Sequence, residues 1–177
     1  NMAMGAAKTG VNVAVFSLEM TGEQLIRRML ATEAKLPMNI FKRPDISPRD
    51  YRTMADAVES IYQLPIFIDD TSDISPMELK GKCRRLMSNG PLGLIVVDYL
   101  QLMRSSRKTE NRTQEIAEIA RNLKQTAKEL GVPIIALCQV NRAVEGRDDK
   151  RPNLSDLRES GSIEAEADLV LAIYRHE

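Results

Sequence analysis

The chain has 177 residues, 43% of them hydrophobic, with 25 Lys and Arg balancing 25 Asp and Glu. That fits one globular domain with a sizeable core and excludes a disordered tail, while the zero formal charge removes the global signature of a nucleic-acid binder. Contact with a polyanion must therefore be local, or shared among several copies.

Two distant cysteines, Cys83 and Cys138, lack partner histidines at ligand spacing, so neither zinc nor a disulfide framework is indicated. No apolar run approaches the roughly 18 residues of a membrane span and nothing resembles a signal peptide, so the expectation is a cytoplasmic protein with no membrane partner. His176, one residue from the end, reads as a solvated terminal residue rather than a catalytic base.

In chain order, residues 1–8 read as the later part of a helix, because no Ser, Thr, Asp or Pro precedes them, and Gly10 closes it. That implies a domain cut at its front edge. Gly5-Ala6-Ala7-Lys8-Thr9 fails as a phosphate loop, since Ala7 stands where the lysine needs a preceding glycine. A strand is expected over Asn12–Ser17. Thr21-Gly22-Glu23-Gln24 then opens a helix with a capping box, and Ser47-Pro48 opens another with proline at the first helical position. Leu64–Ile68 reads as a strand and Ser75-Pro76-Met77-Glu78 as a second capping box.

Leu92–Asp98 follows as an apolar run ending in an acid. From Asn111, Ile116, Ile119, Ala120, Leu123, Ala127 and Leu130 keep three-and-four spacing, which predicts an amphipathic helix that Gly131 ends. Val132–Cys138 reads as the next buried strand and Leu169–Tyr174 as the last. Strands alternating with helices predict an α/β domain with a largely parallel sheet flanked by helices, a single unit over residues 1–177.

In such sheets, chemistry gathers at the carboxyl ends of the strands. Glu19 follows the first strand, Asp98 ends a central one, and Gln139 follows Val132–Cys138, so all three would emerge at one rim. An acid there can orient and deprotonate water, a second can organise Mg²⁺, and an amide can sense a terminal phosphate. Taken singly, each has a plainer reading. Glu19 could serve a helix dipole, Asp98 could cap a turn, and Gln139 could be an ordinary loop amide.

Extended motifs carry more. Val15-Phe16-Ser17-Leu18-Glu19-Met20, Ile68-Asp69-Asp70-Thr71, Lys82-Cys83-Arg84-Arg85-Leu86, Leu94 to Leu102, Glu110-Asn111-Arg112, Asp149-Lys150-Arg151-Pro152 and Leu154 to Glu164 run in order along nearly the whole chain. In these the chain resembles the C-terminal motor domain of DnaB-family replicative DNA helicases, a RecA-like P-loop NTPase core. The resemblance implies ATP with Mg²⁺, single-stranded DNA threaded through a homohexameric ring, 5′-to-3′ unwinding, and primase and a helicase loader as partners.

Residue by residue, the resemblance makes Glu19 the base that polarises water, Asp98 the acid on Mg²⁺, and Gln139 the phosphate-sensing amide. Arg28 matches an arginine that approaches the terminal phosphate; its plain reading is a solvated helix arginine. Arg158, Glu159 and Gly161 match the loop that grips DNA in the pore, where an arginine and close backbone N–H groups give sequence-independent phosphate contacts. The plain alternative is a polar turn. The basic segment Arg104–Thr109 is a further candidate for DNA contact, or a surface loop.

Family members also carry a phosphate-loop lysine and threonine, an arginine-bearing finger hairpin and a primase-recruiting helical domain that these residues do not include. The expectation is a fragment truncated at both ends and inactive alone. A RecA-like recombinase or regulatory ATPase that assembles on DNA without unwinding it is the alternative, and a non-catalytic interaction module is a third reading.

Overall fold

A computed structural model describes residues 1–105, 111–147 and 149–175, leaving aside the side chains of 142, 143 and 158–162. The elements in order are α1 (Met2–Lys8), β1 (Asn12–Ser17), α2 (Gly22–Ala34), α3 (Pro48–Tyr62), β2 (Ile66–Asp69), α4 (Pro76–Met87), β3 (Leu92–Asp98), α5 (Arg112–Leu130), β4 (Ile134–Ala136) and α6 (Gly161–Glu166). Short 3₁₀ segments at Met38–Lys42, Leu100–Leu102, Arg142–Gly146 and Leu154–Ser160 join them.

The helix starts follow from their caps. Thr21 Oγ1 accepts the Gln24 N–H at 3.3 Å while the Gln24 side chain accepts the Thr21 N–H at 3.2 Å. Ser75 and Glu78 repeat the reciprocal pair on α4. Ser47 caps α3 and Asn111 caps α5, each accepting a backbone N–H of the first turn. Gly131, at φ 66°, ends α5 in the left-handed conformation that glycine adopts without penalty. Lys35 ends α2 in the same region, at φ 53°, with no glycine to announce it.

All strand pairs are parallel, in the order β2-β1-β3-β4. Because successive side chains alternate faces, the sheet builds two cores. Ala14, Phe16, Ile95 and Val97 pack with Leu79 and Cys83 of α4 and with Ile116, Ile119 and Leu123 of α5. Val13, Val15 and Leu94 pack on the opposite face with Ala7 of α1 and Leu25 of α2. Burial on both faces explains why β1 and β3 read as near-continuous apolar runs rather than alternating ones.

Three strand expectations change. β2 begins at Ile66 because Pro65 has no N–H to donate. β4 is only Ile134–Ala136, preceded by Pro133 for the same reason. Leu169–Tyr174 forms no strand at all: Leu169, Leu171 and Ile173 are 74%, 68% and 94% exposed, and without a neighbouring strand the ladder that would offset backbone ordering is missing. Among the described residues no helix is long and apolar enough to cross a membrane.

Candidate functional site

Four parallel strands put the C-terminal ends of β1, β2, β3 and β4 on one rim of the sheet. Ser17 and Asp98 are direct cross-strand partners there, and the Leu18 N–H donates to the Asp98 carbonyl at 2.7 Å. The buried Ser17 hydroxyl donates to the Met20 carbonyl at 2.8 Å, closing the turn that presents Glu19. Glu19 therefore leaves β1 beside the residue that ends β3.

The electrostatics report that proximity. Burial pushes the Asp98 carboxyl above its ordinary value, the Glu19 charge pushes it further, and the Arg28 guanidinium opposes both. Glu19 and Arg28 are exposed and their side chains make no hydrogen bond or ion pair among the described residues. Gln139 lies just past β4, exposed, with its side-chain amide likewise unpartnered among the described residues. The rim thus brings Glu19, Asp98 and Arg28 together, and Gln139 follows the strand adjacent to Asp98.

The other rim acids are already engaged. Burial disfavours ionising Asp69, but bonds from Lys82 at 2.5 Å and from Thr71 outweigh it and hold this carboxyl below its ordinary value. Asp70 accepts the Gly22 N–H at 2.8 Å and so supplies a carboxylate at the N-terminus of α2, the helix that carries Arg28. Asp70 had no assigned role in the sequence. Its only local signal is its place after a strand, and its partner lies 48 positions away.

Arg104 is tied to α4, donating to Glu78 at 3.1 Å with Asp73 3.6 Å away, which competes with a role as a free basic contact. Arg107, Lys108, His176 and the side chains of Arg158 and Glu159 lie outside the described residues; the backbone of Arg158, Glu159 and Gly161 spans the junction between the Leu154–Ser160 segment and α6. Both thiols are poorly disposed to react. Burial, then the Asp69 charge, pushes Cys83 to about 12, and burial raises Cys138 against a Gln101 hydrogen bond.

No cluster of three His, Cys, Asp or Glu able to hold a metal exists among the described residues. The donor set nevertheless fits Mg²⁺, which binds through one or two carboxylates, substrate phosphates and water. A partly buried carboxylate facing a second acid is the kind of charge excess a divalent cation relieves.

Fold and rim together define a RecA-like α/β core. The family described as "DnaB-like helicase C terminal domain" matches residues 1–177, and the chain belongs to it. It is 49% identical over 173 residues to the replicative DNA helicase DnaB of Geobacillus stearothermophilus, covering 97% of this chain and 38% of that protein. It is 47% identical over 173 residues to the replicative DNA helicase DnaC of Bacillus subtilis (strain 168), with the same coverage.

Two solved structures share the fold. One, described as an ATPase domain, superposes with a TM-score of 0.90 at 36% identity, over 94% of this chain and 60% of that one. A DnaB-like replicative helicase, described with its interactions with primase, gives 0.91 at 35% identity, over 95% and 41%. The chain spans 38% of the length of the two curated relatives.

Proposed function

We propose that this chain is the ATP-hydrolysing part of a replicative DNA helicase, a cytoplasmic homohexamer that couples hydrolysis to 5′-to-3′ movement along single-stranded DNA. Family membership over the whole chain supports the class. The observation that carries the site is the juxtaposition of Asp98 with Glu19 and Arg28, one carboxyl raised by burial and by its neighbour's charge, the other two groups unpartnered among the described residues.

In this reading Glu19 aligns the attacking water and accepts its proton. The Arg28 guanidinium and the Gln139 amide donate to oxygens of the terminal phosphate, where charge accumulates as the bond breaks. Asp98 holds Mg²⁺, directly or through water, and the ion supplies neutralisation of the phosphate oxygens. Arg158, Glu159 and Gly161 take the DNA backbone, each copy weakly and the ring by avidity, which a neutral chain tolerates. Primase and a helicase loader are the expected partners, the first in keeping with the solved relative described with primase.

The test is ATP hydrolysis and fork unwinding by the full-length protein that carries this chain. Glu19→Gln is expected to lower turnover by about 10²–10⁴-fold while nucleotide still binds. Wild-type turnover in both Glu19→Gln and Asp98→Asn would overturn the reading.

A further inference from the structure

The ladder between β3 and β4 ends at Val97 and Ala136, yet the two chains stay joined beyond it. The Leu137 N–H donates to the Val97 carbonyl at 2.9 Å, and the Leu100 N–H donates to the Leu137 carbonyl at 2.9 Å. Next along, a side chain takes over from the backbone. Gln101 Oε1 accepts the Gln139 N–H at 3.2 Å, and Gln101 Nε2 donates to the Gln139 carbonyl at 3.1 Å and to Cys138 Sγ at 3.0 Å.

A primary amide carries a donor and an acceptor side by side, as a peptide group does, so one side chain closes both backbone groups of one residue. The Gln139 N–H requires an oxygen opposite it, which sets the orientation of the Gln101 amide. Gln101 is itself held, since the Arg112 guanidinium donates to its carbonyl and also to the Glu115 carboxylate. The Gln139 side chain has no partner among the described residues, so its origin is set through its backbone.

We propose that Gln101 is a positioning residue for the hydrolysis site: its amide fixes the backbone from which Gln139 projects, at a set offset from Asp98 three residues upstream. The proposal rests on the reading of Gln139 as the amide that meets the terminal phosphate. Glutamine suits the task as its neighbours in size do not. Methionine would fill the space and hold neither group, while an ionised glutamate would turn a carboxylate oxygen toward the Gln139 carbonyl and the Cys138 sulfur. Loss of the clamp lets the sensing amide wander, and misplacement by about 1 Å is enough to cost on the order of 10²-fold in rate.

The experiment measures DNA-stimulated ATP hydrolysis by the full-length protein for wild type, Gln139→Ala, Gln101→Met and Gln101→Glu, with hydrogen exchange read on peptides covering β1, β3 and residues 137–141. Gln101→Met is expected to lower kcat by about 10–10²-fold with KM for ATP changed by no more than about twofold. Exchange should accelerate over 137–141 while β1 and β3 stay protected. In the Gln101→Glu variant the deficit relative to wild type should shrink toward acid pH, because the neutral carboxyl again offers one donor and one acceptor.

Unchanged kcat in Gln101→Met beside an impaired Gln139→Ala overturns the positioning role and leaves the Gln139 reading standing. Wild-type kcat in Gln139→Ala overturns both. Should Gln101→Met lose protection throughout the sheet, the Gln101→Glu profile decides, and a deficit that does not vary with pH counts against the clamp.

Discussion

Ionising Asp98 is unfavourable because burial strips water from the carboxylate and Glu19 adds like charge, with Arg28 offsetting part of the cost. A carboxyl raised in the folded state binds more protons there than in the unfolded chain, so its contribution to stability falls as pH rises from the ordinary value of 3.8 through the raised one. Above that window the penalty is fully present. Asp98→Asn is therefore expected to raise the melting temperature at pH 7 without Mg²⁺ or nucleotide, and the gain should shrink as pH falls toward 4. A lower melting temperature at pH 7 would show that the acid stabilises the empty site.

Asp98 and Glu19 were legible as polar groups where apolar runs stop, because a buried parallel strand advertises its own end. Asp70 and Gln101 were not. Their work lies in hydrogen bonds to Gly22 and Gln139, 48 and 38 positions away, and nothing in the residues beside them records those partners.

At the level of elements, the four side-chain-capped helix starts among the described residues were readable, since a cap and the backbone N–H it accepts lie within three residues of each other. Thr21→Ala removes one half of a reciprocal pair at the head of the helix carrying Arg28. It is expected to cost about 1 kcal/mol in a denaturant titration, with the slope unchanged. No loss would mean that Asp70, which also holds the first turn, suffices.

Strands were less legible for a reason of the same kind. Val132–Cys138 and Leu169–Tyr174 both have strand composition, but a strand exists only with a partner. Pro133 and a lack of regular pairing after Ala136 cut the first to three residues, and the second pairs with no strand among the described residues. A further tie is readable only in three dimensions: Lys8 of α1 binds Glu33 of α2 at 2.7 Å, and Ser60 of α3 donates to the same carboxylate at 3.1 Å. The Lys8 bond, opposed by burial and helped by Ser60, holds Glu33 below its ordinary value. This contribution is present above pH 4.5 and is lost as pH falls through the lowered value.

Across the whole molecule, one sheet separates two apolar layers that share β1 and β3. Leu79 is fully buried in the layer beneath α4 and α5. Leu79→Ala is expected to lower unfolding free energy by about 2–5 kcal/mol, the range for a cavity in a packed core, as measured by urea titration of the full-length protein. A loss below about 1 kcal/mol would mean that the layer collapses around the gap.

The central pairing of β1 with β3 joins Asn12 to Leu92. On the ribosome, at about 5–20 residues per second, the earlier strand waits for several seconds before its mate is made. Over that interval Val13 through Phe16 have β2 as their one strand partner, and although α1, α2 and α4 can already pack on the pair, a two-stranded ribbon is by itself at best marginally stable in water. Such non-local closure makes for slow folding, so newborn chains pass through a window in which the β3-facing edge of β1 is unpaired and open to chaperone capture or to clumping.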